Sequence, residues 1–161
     1  MINLLVLSRD EIARFSIFMP YVVISIREPD LPAVTIPGEP PKGHVVWTSG
    51  VRAILRLAFQ DVPRPELSTR PMNARDARRI AAFVQRWQYE VALIVVQCDA
   101  GVSRSAAVAA AISDYLNGDC AWAFKHFRPN RYVYNLTVRA LLTVEGGRGR
   151  SEEHTSELQS Q

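Results

Sequence analysis

Apolar residues along this chain follow two kinds of spacing. INLLVLS (2–8) and YVVISI (21–26) are short runs rich in residues that favour strands, and VALIVVQ (91–97) is apolar almost throughout. A continuous apolar strand of the last kind is buried on both faces, as in a parallel sheet. HVVWTS (44–49) and RAILRLAF (52–59) read as further strands. After Pro71 the period lengthens. Asn73 is placed to cap a helix with Asp76 three residues on, and Ile80, Phe83, Val84 and Trp87 share one face. An alanine-rich helix is predicted from Ser105 to about Asn117, closed by Gly118 as a left-handed cap. Asp119 is a candidate cap for a short helix through Phe127. Asn130, following Pro129, is a candidate opener of the last helix, RYVYNLTVRALLTV.

Strands early, helices late and a strand–helix–strand–helix passage between them predict an α/β fold. We expect one domain over residues 1–149, with a central mixed, mostly parallel sheet flanked by helices. A chain of 161 residues that is 48% hydrophobic holds enough apolar surface for one core, and no repeat or linker divides it. The proline-rich stretch Pro29–Gly43 reads as a surface connection without chemistry. Trp47, Trp87 and Trp122 read as core residues, and at most one of Tyr132 and Tyr134 faces a pocket.

Charge and cysteine usage narrow the setting. No apolar run reaches the ~18 residues of a membrane span. The N-terminus lacks the basic region of a secretory signal and reads as a first strand. Two cysteines, Cys98 and Cys120, make no disulfide framework, so a cytoplasmic, monomeric protein with free thiols is the expectation. The formal charge of +3 is lowered by the acidic segment RSEEHTSELQSQ (150–161). Reverse translation of that segment resembles a common sequencing-adapter oligonucleotide. It is therefore read as a non-native, disordered tail outside the domain. The moderately basic remainder suits an anionic substrate. Arg75, Arg78, Arg79 and Arg86 read as a solvated helix face and not a nucleic-acid site, because no aromatic residues interleave them.

The junction QCDAGVSRSAA (97–107) concentrates the chemistry. Where a buried strand ends and a helix begins, free backbone N–H groups and the helix's partial positive charge converge. Asp99, Ala100, Gly101, Val102 and Ser103 form a short loop whose amides can cradle a tetrahedral dianion. Gly101 supplies room for close approach, and Arg104 brings a planar fork for two oxygens. Cys98 lies at the floor of that cradle. The thiolate is the nucleophilic form of cysteine, and the same positive field favours it.

Cysteine, five residues, then arginine and serine, between a hydrophobic strand and a helix, resembles the signature loop of the cysteine-dependent protein tyrosine phosphatases. The loop is most similar to small dual-specificity members. RLAFQDV (56–62) lies where the family carries its general acid, with Asp61 37 residues before Cys98. FRPNRYVYNL (127–136) is similar to a helix-opening segment of bacterial and phage relatives. The matches span roughly Ile24 to Leu142. The resemblance implies Cys98 as nucleophile through a phosphocysteine and Arg104 with the amides of Asp99–Arg104 as the phosphoryl clamp. It implies Asp61 as general acid and then base, and Ser105 as hydrogen-bond donor to the sulfur. It implies no metal and no cofactor, and a phosphorylated protein or small phosphomonoester as substrate. Gln97 departs from the family, which has histidine there.

Other readings compete. Asp99 is closer to the thiol than Asp61, but is expected to point away from the amides; Asp76 is better explained as a cap, and Asp30 is remote. Cys120 with His126 is half a metal site lacking a second pair, so packing is expected for Cys120. His44 reads as a turn residue. A loop that binds phosphate without turnover is the alternative function, and rhodanese-like sulfur transfer or arsenate reduction is a third.

Overall fold

The computed structural model describes residues 1–158 by backbone and 1–144 also by side chain. The tail expectation for 150–161 lies outside the residues described in full. Four strands, β1 (Asn3–Leu7), β2 (Tyr21–Arg27), β3 (Val51–Ala58) and β4 (Leu93–Gln97), form one sheet in the order β1-β4-β2-β3. Every pairing is parallel, so the sheet is not mixed. The helices are α1 (Arg9–Ile12), α2 (Ala74–Trp87), α3 (Arg104–Asn117), α4 (Ala121–His126) and α5 (Arg131–Leu158). The expected single α/β domain is the one that forms.

Alternation along β2 divides the core. Val22, Ile24 and Ile26 face one side and pack with residues of α2, α3 and α5. Tyr21 and Val23 face the other, with Ile12 of α1, Phe15, Ile17, Val34 and Ile36. The long helices therefore cover one face only. The second is closed by α1 and by loops, which gives the proline-rich stretch a structural duty. Ile36 is buried there, and Glu39 accepts from the Ile36 N–H (3.0 Å) and from Arg56 (2.8 and 2.9 Å).

HVVWTS corrects the strand expectation. Residues 44–48 lie exposed outside the sheet, and Trp47 is 37% exposed, not a core residue. Two prolines precede the run and Gly43 adopts φ +86°, so the chain turns away before it can join a ladder. Trp122 is half-buried, its indole N–H donating to Ser113 Oγ (3.0 Å), and Trp87 packs at the core edge. The helix boundaries follow the caps. Asn73 and Asp76 form a reciprocal capping box, and Gly118 is left-handed at φ +74°. Asp119 accepts from the Ala121 N–H at the start of α4 (2.9 Å), and Asn130 accepts from Val133 N–H at the start of α5 (3.1 Å). Ser8 and Glu11 form a second capping box on α1, an S-x-x-E signature present in the sequence.

Replacing Asn73 with Ala removes an acceptor that Asp76 N–H cannot replace. Stability should fall by about 0.5–2 kcal/mol. Urea unfolding should show a lower midpoint with unchanged slope, and an unmoved midpoint would contradict the capping account.

Candidate active site

All four strands run parallel, so their C-terminal ends open at one edge of the sheet, where α/β folds place ligands. The residues that follow the strands meet there: Ser8 and Arg9 after β1, Glu28 after β2, Phe59 and Asp61 after β3, Cys98 and Asp99 after β4. Cys98 N–H donates to Leu7 O (3.2 Å), which ties the start of the loop to β1. Gly101 adopts φ +73°, and a Cβ there would lie 2.6 Å from Ser8 N and 2.8 Å from Leu7 C. Glycine is required by both backbone conformation and close approach.

That turn brings Gly101 N–H to Cys98 Sγ (3.3 Å), and the sulfur lies 3.0 Å from Ser105 Oγ. Cys98 is 1% exposed at the floor of the loop. Arg104, 4% exposed, opens α3 and turns its guanidinium toward the same strand ends. Its Nη1 donates to Phe59 O (2.8 Å) and lies 3.3 Å from Glu28 Oε1, while Nη2 lies 3.4 Å from Asp99 Oδ2. Among the described residues, its buried Nε has no hydrogen-bond partner. A buried donor left without a partner carries a desolvation cost that a bound oxyanion would offset.

The Asp99 side chain, 18% exposed, lies between Arg104, Arg9 and the end of β2. Its carboxylate accepts from Glu28 N–H (2.9 Å) and lies 3.6 Å from Arg9 Nη1. Asp61 is on an exposed loop after β3, yet it is brought to the rim of the Cys98–Arg104 loop. Ser103 Oγ donates to its Oδ1 (2.9 Å), and Asn130 Nδ2 donates to the same oxygen (2.7 Å). Asp61, Ser103, Asn130 and Tyr132 help line a cleft of about 450 Å³. Tyr132 donates to Met72 O (2.9 Å). Tyr134 turns elsewhere: it lies 3.7 Å from Cys120 Sγ and edge-on to Phe124. Burial, aided by the bond to Cys120, pushes its phenol up to about 12, so it stays neutral at physiological pH.

Gln97 is buried, and Ser25 Oγ donates to its Oε1 (2.5 Å). Among the described residues its Nε2 has no partner, so the bond this side chain makes joins β4 to β2 and does not reach the sulfur. Glu28, Arg9, Ser8 and the side chain of Asn130 were not legible as site residues. Of these, Ser8 and Asn130 carried local signals, the S-x-x-E run of α1 and the R-P-N run before α5, and both signals were for helix starts. Among the described residues, no group of three or more His, Cys, Asp or Glu is placed to hold a metal, and no helix is long and apolar enough to cross a membrane.

No family model matches the sequence, and no curated protein matches it. Solved structures do. Human DUSP28 superposes with a TM-score of 0.53 at 19% identity, covering 89% of this chain and 94% of that one. A mouse putative dual specificity phosphatase complexed with zinc tungstate gives 0.47 at 20% identity, covering 79% and 74%. Human tyrosine phosphatase-like serine/threonine/tyrosine-interacting protein gives 0.44 at 21%, covering 80% and 78%. The fold is that of the dual-specificity phosphatases, with the Cys98–Arg104 loop at the carboxyl edge of its sheet.

Substituting Gly101 with Ala should destabilise the protein by about 1–3 kcal/mol, because the new Cβ meets backbone and the conformation is left-handed. Thermal unfolding measures this, and a Tm equal to the parent's would contradict the packing of the loop on Ser8.

Proposed function

We propose that the protein is a cysteine-dependent, metal-independent phosphomonoester hydrolase of the tyrosine or dual-specificity type. One observation carries the reading. Cys98 Sγ meets Gly101 N–H and Ser105 Oγ at the floor of a loop whose Arg104 is buried with an unpartnered Nε. A nucleophile and an oxyanion receptor thus share one strand end, as in-line attack on phosphorus requires.

The chemistry proceeds in two displacements. Cys98 thiolate attacks phosphorus; the S–P bond forms as the P–O bond to the leaving group breaks. Asp61 gives its proton to the departing oxygen. Arg104 and the amides of Asp99, Ala100, Gly101, Val102, Ser103 and Arg104 hold the three non-bridging oxygens. A water then attacks the phosphocysteine, Asp61 takes its proton, and the S–P bond breaks with Ser105 donating to the leaving thiolate. Inorganic phosphate is released. The positive field comes from the loop, so no metal or cofactor enters.

Phosphotyrosine or phosphoserine/threonine in a protein, or a small phosphomonoester, is the substrate class. The RPN segment supports reading the chain as a small member similar to bacterial and phage forms. We read it further as a cytoplasmic monomer without a nucleic-acid or membrane partner, on charge and cysteine usage.

Turnover of an aryl phosphate should persist in a chelator and fall to background in Cys98→Ser, with inorganic phosphate still bound. Asp61→Asn should slow esters of poor leaving groups by roughly 10²–10⁴-fold and those of good leaving groups far less. Full turnover in Cys98→Ser sinks the mechanism. Phosphate binding without any turnover in the parent would favour a phosphate-binding module instead.

A further inference from the structure

Asp61 lies on an exposed loop, and an exposed loop does not by itself hold a carboxylate at a fixed point. Its position is set by α5. Asn130 uses all of its polar groups at once. Its Oδ1 accepts from Val133 N–H (3.1 Å), capping α5, and its Nδ2 donates to both Asp61 Oδ1 (2.7 Å) and Val62 O (2.8 Å). Its backbone N–H donates to Ser103 O (3.2 Å), and Ser103 Oγ donates back to Asp61 Oδ1 (2.9 Å). Two residues earlier, Arg128 N–H donates to Val102 O (3.0 Å). Pro129 between them disfavours helix at Arg128 and keeps the segment extended along the loop.

We propose that Asn130 is a positioning residue for proton transfer: with Ser103 it latches the Asp61 loop to the phosphate loop before substrate arrives. This inference rests on the reading of Asp61 as general acid. Both donors occupy Oδ1, and among the described residues no hydrogen bond is made to Oδ2. The geometry therefore divides the carboxyl group. Oδ1 is the anchored oxygen, and Oδ2 carries the proton passed to the leaving oxygen and later accepts one from water. The backbone bonds of Arg128 and Asn130 couple the latch to residues 102 and 103, so the acid and the phosphate cradle move as one unit. The acid is held in place without a loop closure that substrate would have to drive.

The test is Asn130→Ser. Serine keeps an N-cap acceptor for α5 but has no amide donor for Asp61. Turnover is compared on two phosphate esters, one with a poor leaving group and one with a nitrophenolate-type good one, each in the parent and in an Asp61→Asn background. Asn130→Ser should lower kcat on the poor leaving group about tenfold, from the loss of the amide that holds both Asp61 Oδ1 and Val62 O. It should leave the good one within about twofold and add nothing further when Asp61 is already Asn. Asn130→Asp, which keeps the size of the side chain and its N-cap acceptor but turns an acceptor toward Asp61, should reproduce the same split and serves if Asn130→Ser fails to fold.

Equal loss on both esters, or a full additional loss in the Asp61→Asn background, would assign Asn130 a purely structural role and overturn the inference. If Asp61→Asn itself shows no dependence on the leaving group, the acid assignment falls and the latch falls with it. That outcome is distinguishable, because it appears without any change at Asn130.

Discussion

A guanidinium taken out of water costs several kcal/mol unless its charge and its donors are answered, and Arg104 is almost wholly buried. Glu28 and Asp99 supply the charge, and Phe59 supplies a carbonyl. Each comes from the end of a different strand: β2, β4 and β3. Arg9, following β1, balances the outer oxygen of Asp99. The site therefore depends on one cation that the whole carboxyl edge of the sheet must converge to hold. Once it is held, its Nε stays a buried donor without a partner among the described residues.

The parallel sheet makes that convergence possible. With every strand running the same way, the four C-terminal ends emerge side by side, and the order β1-β4-β2-β3 puts β4 between two neighbours. The loop after β4 is thus braced from both sides, by Leu7 and Ser8 at β1 and by Glu28 at β2. The asymmetry of the core adds to the brace. Helices cover one face, and α3 brings Arg104 and Ser105 in its first turn. The other face is closed by α1, whose capping residue Ser8 is the surface on which Gly101 packs. Nothing larger than glycine leaves the loop narrow enough to bring an amide to the sulfur.

How much of this was legible in the sequence divides along sequence distance. The Cys98–Arg104 loop, β4, the Asn73–Asp76 box and the Gly118 cap are set by neighbours within a few residues, and their signals survive in one dimension. The helix start at Asn130 was legible for the same reason. Its second duty was not, because the contact with Asp61 joins residues 69 apart. Glu28 likewise carries no signal for the site until β2 and β4 are placed together. HVVWTS failed in the opposite sense. Its local pattern suits a strand, but the turn at Gly43 and the prolines before it withhold a partner. Gln97 was legible only as a departure from the histidine of the family that the loop resembles. In the fold its carbonyl is spent on Ser25, and what it contributes to the loop is the tie between β2 and β4.

The central claim is that these contacts make Cys98 a nucleophile toward phosphorus. The most direct measurement is a rapid acid quench during turnover of an aryl phosphate, followed by peptide mapping in a mass spectrometer. A phosphoryl group on the peptide containing Cys98, absent when substrate is omitted and absent from the peptide containing Cys120, is the predicted result. Turnover with an unmodified Cys98 peptide at every quench time, in both the parent and the slowed Asp61→Asn variant, would contradict the account.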